Sequence, residues 1–520
     1  MDERTDRERD DLRIFDVLID GADRTPERRA LHWVDRARAL TYAEAVQAMD
    51  RVAGGMASLG VERGDRIGIF AHNGLDYLTA MFGTWRLGAI STLVNLQYAD
   101  SLDYYVNDAD PRVLIYTGDH FDTIERHRPN LPSIEHYVCF DGPQEGAVGW
   151  AELLEAAGAP PADRVDESDV AHLSYTSGTS GAPKGACLAH EPTMRATRCI
   201  AERLRMRSDD VSLGPTALSS SYQLVANLLP VLHAGGTTCV MSRWNADAGW
   251  DAAETLRATV LAANPPVLTD MADESARRGR PPTALRVVLS GGGPVPPELK
   301  RRWHGELGIP LCESYGQSEL GGFVGLAAPD DPFIDERVLS CGRPLADKEV
   351  HVLDDDGQPL PTGEIGELCL RGGYMAGYWE RPEKTAETLR DGWLHTGDVG
   401  YLDAEGYVFM RGRLSERLTV AGEHWYPRDT EEVLGGHPGV KEVALVGAPG
   451  DDGGHRPLAF VTLRAGVEVP SAELAAFVGS SGARVPPGIE VRIVDALPMT
   501  PTGKISKADL LANVVGAVGK

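Results

Sequence analysis

Strand-like apolar segments alternate with helix-like ones along most of this chain, and that alternation limits the fold more than any other feature. After a charged start, RALHW and the segment following it read as a hairpin. A helix opens at Thr41, where Glu44 stands three residues on as in a capping box. Strand IGIF, helix Asp76 to Leu87, strand GAISTLVN, helix SLDYYVNDA and strand PRVLIYTG follow in turn. This spacing predicts parallel α/β sheets. Residues 141–165, rich in Gly, Ala and Pro, are predicted as a connecting loop.

The scheme resumes with helix EPTMRATRCIAERLRM and a strand, helix and strand over VSLG to CVMS. Strand VVLS then ends in Gly291, Gly292 and Gly293, a helix follows, and a short strand delivers Tyr315, Gly316, Ser318 and Glu319. Ligands of such sheets bind beyond the carboxyl ends of the strands, so both loops are predicted to border one site. From Ser340 the texture changes to short strands with tight turns, a small β-barrel-like part. The Asp354 to Gly357 cluster reads as a metal loop on composition or as a solvated hairpin turn, and Asp-Gly between apolar strands favours the turn. Residues 417–520 hold three strands and two helices, a small α+β domain. The predicted division is 1–413 and 414–520.

At 520 residues the chain is too long for one ordinary core. Its 42% hydrophobic and 25% charged residues are those of a globular protein. A formal charge of −26 argues against coating nucleic acid or an anionic membrane, and means that an anionic substrate needs a local basic pocket. Seven scattered cysteines, never in a CxxC pair, point away from a disulfide frame or zinc cluster and toward a cytoplasmic setting. The N-terminus lacks a signal-type apolar core, and no apolar run reaches the ~18 residues of a membrane span.

Chemistry concentrates in LSYTSGTSGAPKGACLAH, Leu173 to His190. Here Thr176, Ser177, Thr179 and Ser180 alternate with Gly178, Gly181 and Gly185, closed by Pro183 and Lys184. Glycines let backbone N–H groups converge on an anion, hydroxyls donate to its oxygens and the lysine adds a mobile charge. The spacing is not that of a Walker A loop. A solvated Gly/Ser linker is the other reading, although linkers normally lack a Pro-Lys-Gly closure and strand-like flanks.

Five motifs in order, YTSGTSGAPKG, YGQSE, GELCLRGGYMAGYW, WLHTGDVGYLDAEGYVFMRGR and PTGKISK, make the chain resemble the acyl-adenylate-forming superfamily. Its members are acyl- and aryl-CoA ligases, nonribosomal-peptide adenylation domains and beetle luciferases. The resemblance covers nearly the whole length. It implies a large AMP-binding domain and a C-terminal lid that rotates between two half-reactions. In the first, a carboxylate attacks the α-phosphate of ATP and releases pyrophosphate; in the second, a nucleophile displaces AMP.

The resemblance assigns Thr176, Ser177, Gly178, Thr179 and Lys184 to the β- and γ-phosphates, and Glu319, with Thr176, to Mg²⁺. Tyr315 would stack on adenine against Gly291 to Gly293, beside Gly316 and Ser318. Asp398 would accept the ribose hydroxyls, Arg413 would contact ribose or phosphate, and Lys504 would bridge the attacking carboxylate and the α-phosphate. Each has a plainer alternative: a helix-start carboxylate for Glu319, a core ring for Tyr315, a turn residue for Asp398 and one exposed lysine among many for Lys504.

The chain departs from the family pattern at three places. Ser415 stands where the hinge is usually Asp or Lys. The loop AGEHWYP carries His424 and Trp425 on the expected pantetheine route, where an indole puts thioester formation in question. PTALSSS, Pro215 to Ser221, replaces an aromatic-histidine gate, so Ser219, Ser220 and Ser221, with Gly316 and Trp425, are the candidate acid-pocket residues, loop polarity without contact being the alternative.

Three functions follow. An acid-CoA ligase using ATP, Mg²⁺ and CoA leads. The second keeps adenylation but serves another acceptor, as in a diazotase activating nitrite for an aryl amine or a stand-alone amide-forming enzyme. The third is a non-catalytic nucleotide-binding protein, against which the presence of both Glu319 and Lys504 argues. The expected partners are a small-molecule acid and ATP, with no nucleic acid, in a monomer or homodimer without a carrier-protein segment.

Overall fold

The computed structural model describes residues 13–158, 165–176, 182–450, 453–499 and 505–518. Ser177, Gly178, Thr179 and Lys504 lie outside them. The chain divides into two compact units. The first holds residues 1–176, 183–350 and 370–394, and the second 177–182, 351–369 and 395–520.

Two large sheets build the first unit. The seven-stranded one runs in the order Val148–Gly149, His136–Cys139, Val113–Tyr116, Arg66–Phe70, Ile90–Leu93, Val170–Tyr175, Gly185–Ala189. Its strands are parallel until Gly185–Ala189 turns back antiparallel. The nine-stranded sheet has a parallel centre of Leu311–Tyr315, Val287–Ser290, Val260–Ala263, Val211–Gly214, Thr237–Val240 and Arg29–Trp33. Strand residues such as Val113 to Tyr116 and Val287 to Ser290 are buried on both faces, which is why these segments are continuously apolar rather than alternating.

The helices between them pack closely enough to require small residues. A Cβ on Gly83, in helix Leu75–Leu87, would stand 2.4 Å from the Val52 side chain of helix Tyr42–Ser58. That second helix begins with the predicted capping box: the Thr41 hydroxyl accepts from Glu44 N and the Glu44 carboxylate accepts from Thr41 N.

Three elements differ from the sequence expectation. Residues 141–165 are not all loop, because Val148–Gly149 adds an edge strand and Trp150–Glu155 forms a helix. Trp150 and Leu153 are buried, with Leu153 packed at Gly55, and that burial outweighs the flanking Gly and Pro. The helix over 221–233 contains a wide turn, Leu224–Leu228. Pro230 follows at once and cannot donate its own helix hydrogen bond. Among the described residues the second unit carries three α-helices, Pro427–Gly435, Ser471–Ser480 and Lys507–Val518, not two.

In that second unit, Val440–Pro449, His455–Leu463 and Glu490–Ile493 form a three-stranded sheet. Asp354 to Gly357 is a hairpin turn: Asp354 N donates to Gln358 O, and Gly357 takes the left-handed conformation at φ 76°. Among the described residues no helix is long and apolar enough to cross a membrane.

Candidate active site

Strand Val170–Tyr175 carries the chain into the Gly/Ser/Thr loop, and Gly185–Ala189 carries it out. The two ends are joined where they leave the sheet. Thr176 N donates to Lys184 O at 3.0 Å, and Lys184 N donates to the Thr176 hydroxyl at 3.2 Å. Pro183 is held as well, its carbonyl accepting from Tyr104 Oη at 2.5 Å.

The segment 374–379 lies beside this neck. Its backbone pairs with the outgoing strand, through Cys187 N to Gly377 O, Ala376 N to Cys187 O and Trp379 N to Gly185 O. On its other side Met375 N donates to Glu319 O at 2.7 Å, and Leu320 bridges Tyr374. Tyr378 is thereby placed between two predicted site residues. The Lys184 ammonium stands 4.3 Å from its ring centroid, and its hydroxyl donates to Glu319 Oε1 at 2.6 Å. Ser318 Oγ then donates to Tyr175 O at 3.3 Å.

Thr176, Lys184, Tyr378, Glu319, Ser318 and Tyr175 consequently form a closed ring of contacts. A cation on the face of an aromatic ring gains about 0.5–2 kcal/mol, more as water is excluded. The hydroxyl on the edge of the same ring orients the carboxylate. Glu319 Oε1 is committed to Tyr378, while Oε2 has no partner among the described residues. Sequence reasoning assigned no role to Tyr378. The signal for it in the sequence is its place in GGYMAGYW, inside one of the five motifs that carry the resemblance.

Gly291 to Gly293 and Tyr315 lie at the carboxyl ends of neighbouring parallel strands paired Ser290 to Glu313. Tyr315 is buried. Gly291 has no room for a side chain, since a Cβ would meet Ser314 Oγ at 2.3 Å, and Gly292 adopts φ 77°. Gly316 is the exposed residue directly after the strand.

Pro215 to Ser221 is fastened from two directions. The side chain of Asn73 donates to Thr216 O at 2.8 Å and to Met241 O at 2.9 Å, and accepts from Leu218 N at 2.8 Å. Thr216 Oγ1 donates to Gln223 Oε1, whose amide nitrogen donates to Gly214 O. Leu218 is buried, whereas Ser219, Ser220 and Ser221 are half-buried with hydroxyls that bond to no described residue.

In the second unit Asp398 and Arg413 face each other across the antiparallel pair Trp393–Leu402 and Val408–Arg413. Arg413 Nε lies 2.8 Å from Asp398 Oδ1, and Asp398 is buried. The Trp425 backbone pairs with Leu418, and its indole packs against the core formed by Leu418, Leu434 and Val461, with the Arg484 guanidinium 5.4 Å from the ring.

Lys504 is outside the described residues, but both flanks of its segment are placed. Met499 bridges Ile505, and Ser506 N donates to Pro498 O at 2.8 Å. Lys507 then reaches Glu416 and Glu431, each at 2.9 Å. Burial pulls the Lys507 pKa down, but the two carboxylates outweigh it and leave it raised. Glu416 directly follows Ser415 of the expected hinge.

The sequence profile of the family described as AMP-binding enzyme matches residues 19–379, and that of the AMP-binding enzyme C-terminal domain matches 429–504. The chain is 33% identical over 477 residues to a feruloyl-CoA synthase of Amycolatopsis sp, covering 91% of this chain and 93% of the relative. The solved anthranilate CoA ligase AuaEII in complex with anthranoyl-AMP superposes with a TM-score of 0.87 at 26% identity, over 97% of this chain and 98% of that one. The amide bond synthetase McbA from Marinactinospora thermotolerans superposes with a TM-score of 0.86 at 26% identity, over 96% and 99%. With the ring of contacts around the loop and the match along both units, the chain belongs to the AMP-binding enzymes, the acyl-adenylate-forming superfamily of ATP-dependent, AMP-forming ligases.

Proposed function

We propose that this enzyme activates a small carboxylic acid, an aryl acid in the first instance, as its acyl-adenylate and then transfers the acyl group to CoA. The observation that carries the first half is the Thr176, Lys184, Tyr378, Glu319 ring. It sets a cation and a carboxylate on either side of one aromatic residue, at the neck of a loop rich in donors. The triphosphate carries several negative charges, and the net charge of −26 repels it. A preorganised cation at the loop neck offsets that repulsion locally.

Glu319 Oε2 and the Thr176 hydroxyl are hard oxygen donors of the kind Mg²⁺ takes. When bound, the ion offsets charge on the phosphate oxygens. Lys184 holds the terminal phosphates, Asp398 with Arg413 holds the ribose, and Lys504 neutralises charge as a carboxylate oxygen bonds to the α-phosphorus. The bond from that phosphorus to the pyrophosphate oxygen breaks. In the second half a CoA thiolate bonds to the acyl carbon, and AMP leaves with its electron pair.

CoA as acceptor is supported by the feruloyl-CoA synthase and anthranilate CoA ligase relatives, whose acids also motivate the aryl choice. The position of Trp425 supports it too. An indole packed on the second unit's own core is held there by that burial and is a poor plug for a pantetheine route. A non-CoA acceptor is the second reading, favoured by the likeness to the amide bond synthetase. The three uncommitted serine hydroxyls suit a polar substituent on the acid.

Mass spectrometry of products from MgATP with an aryl-acid panel, with and without CoA, tests this. AMP and pyrophosphate should form with a favoured acid, and a thioester mass only with CoA. Consumption of ATP with nitrite and an aryl amine, unaffected by CoA and absent with every acid, would overturn it.

A further inference from the structure

The ATP chemistry takes the carboxyl end of strand Val170–Tyr175 in the seven-stranded sheet and leaves unused the crevice between strands Arg66–Phe70 and Val113–Tyr116. Strand Arg66–Phe70 connects forward to Ile90–Leu93 on one side, and the next strand, Val113–Tyr116, returns to its other side and leads on to His136–Cys139. The order of the sheet reverses between Arg66–Phe70 and Val113–Tyr116. In open α/β sheets that switch point is where the two following loops diverge and leave a cleft for a ligand.

Three side chains with metal-binding atoms meet there. His72 lies two residues beyond the first strand, and Asp119 and His120 lie in the turn Gly118–His120 after the second. His72 Nε2 is 2.9 Å from Asp119 Oδ2, and His120 Nε2 is 3.9 Å from Asp119 Oδ1. One ligand atom from each of the three lies within 4.8 Å of the others. Ligand atoms around a tetrahedral Zn²⁺ stand about 3.3 Å apart, given metal–ligand bonds of about 2.0–2.1 Å. Small side-chain rotations therefore bring the set to bonding distance.

Two further features separate this set from an incidental surface cluster. His120 Nε2 is buried and has no hydrogen-bond partner, an arrangement that costs free energy unless something coordinates it. Both rings are also held: Phe70, fully buried, packs edge-on against His120 at 5.0 Å, and the His72 and His120 rings lie 5.2 Å apart. The Arg243 guanidinium approaches Asp119 only at 4.0 Å and is 77% exposed, so it can swing into solvent. A second set, Glu367, Cys369 and His395, is different: its carboxylate is committed to Gly397 N, and His395 Nδ1 already faces both partners.

We infer that His72, Asp119 and His120 form a binding site for a divalent transition-metal ion of the Zn²⁺ class at the switch point of the seven-stranded sheet. Two imidazoles and one carboxylate are a donor set for such ions, with the remaining position open to water. This donor set differs from the all-oxygen Mg²⁺ set, so the two ions are sorted by chemistry.

The test uses the full chain, metal-stripped and free of nucleotide, titrated with Co²⁺ alone and followed by visible absorption, with Zn²⁺ as competitor. One equivalent should bind with a nitrogen–oxygen spectrum, and Zn²⁺ should displace it and raise Tm. His120→Ala and Asp119→Asn should each weaken binding about tenfold or more, with Tm in the absence of metal near the parent value. Cys369→Ser should leave binding unchanged. An equivalent that persists in the His72→Ala, His120→Ala double variant, or no Co²⁺ uptake at hundred-micromolar metal, would overturn the assignment.

Discussion

Tyr378 gives one side chain two partners of opposite charge: its π face takes the Lys184 ammonium and its hydroxyl takes a Glu319 oxygen. These functions can be separated by substitution. Tyr378→Phe keeps the face and loses the hydroxyl. A hydrogen bond to a charged group is worth ~1.5–3 kcal/mol, so the Mg²⁺ concentration for half-maximal pyrophosphate release should rise about tenfold while Tm changes little. Tyr378→Leu should also raise KM for ATP, because the ammonium loses its platform. An unchanged Mg²⁺ requirement in the phenylalanine variant would remove Tyr378 from this role. The residue was not legible beforehand because its importance rests on backbone pairing between 374–379 and two strands far away in sequence. Glu319, Tyr315 and Asp398 could be nominated from the sequence because each stands inside a short motif whose spacing is local.

The elements flanking the loop each carry a buried histidine. His172, in the incoming strand, meets the Ser91 hydroxyl at 3.0 Å through Nδ1. His190 begins the helix after the outgoing strand, and its Nδ1 accepts from Ile14 N at 3.1 Å. Burial pushes both down to about 4, with Asp169 opposing the fall at His190 and the Ser91 backbone opposing it at His172. Both are neutral in the fold and take up a proton more readily when unfolded. Their contribution is fully present above pH 6.5 and is lost as the pH falls toward 4, by up to ~3 kcal/mol each. Stability measured by denaturant titration should therefore drop across that window, and His190→Gln should flatten the slope. An equal slope in the variant would show that the acid sensitivity lies elsewhere. The parallel strands and the Thr41 cap followed from local pattern. The helix Trp150–Glu155 did not, because its burial against helix Tyr42–Ser58 is a tertiary fact that its Gly- and Pro-rich surroundings conceal.

For the molecule as a whole, the residues of the proposed site are divided between two units, with Lys184 and Glu319 in the first and Asp398 and Arg413 in the second. Lys504→Ala should retain ATP binding by calorimetry and lose acid-dependent pyrophosphate release by a hundredfold or so, on the order of the contribution of one charge-stabilising group. Undiminished release would remove Lys504 from the first half-reaction. Chain order alone does not give the division into units. Composition marks the change to short strands near Ser340, yet residues 351–369 and 395–413 group with the second unit because they pack there rather than where chain order would put them.

The loop holding Ser177 to Gly181 and the segment holding Lys504 share one device: each is closed at its base by backbone pairing, between Thr176 and Lys184 in one and between Met499 and Ile505 in the other. Strand Val170–Tyr175 ends at the first pairing, and the second is an isolated bridge between Met499 and Ile505. Pinning the base in this way makes the fold independent of the residues enclosed, so an evolving lineage or a library can rewrite them and forfeit turnover without forfeiting a foldable protein.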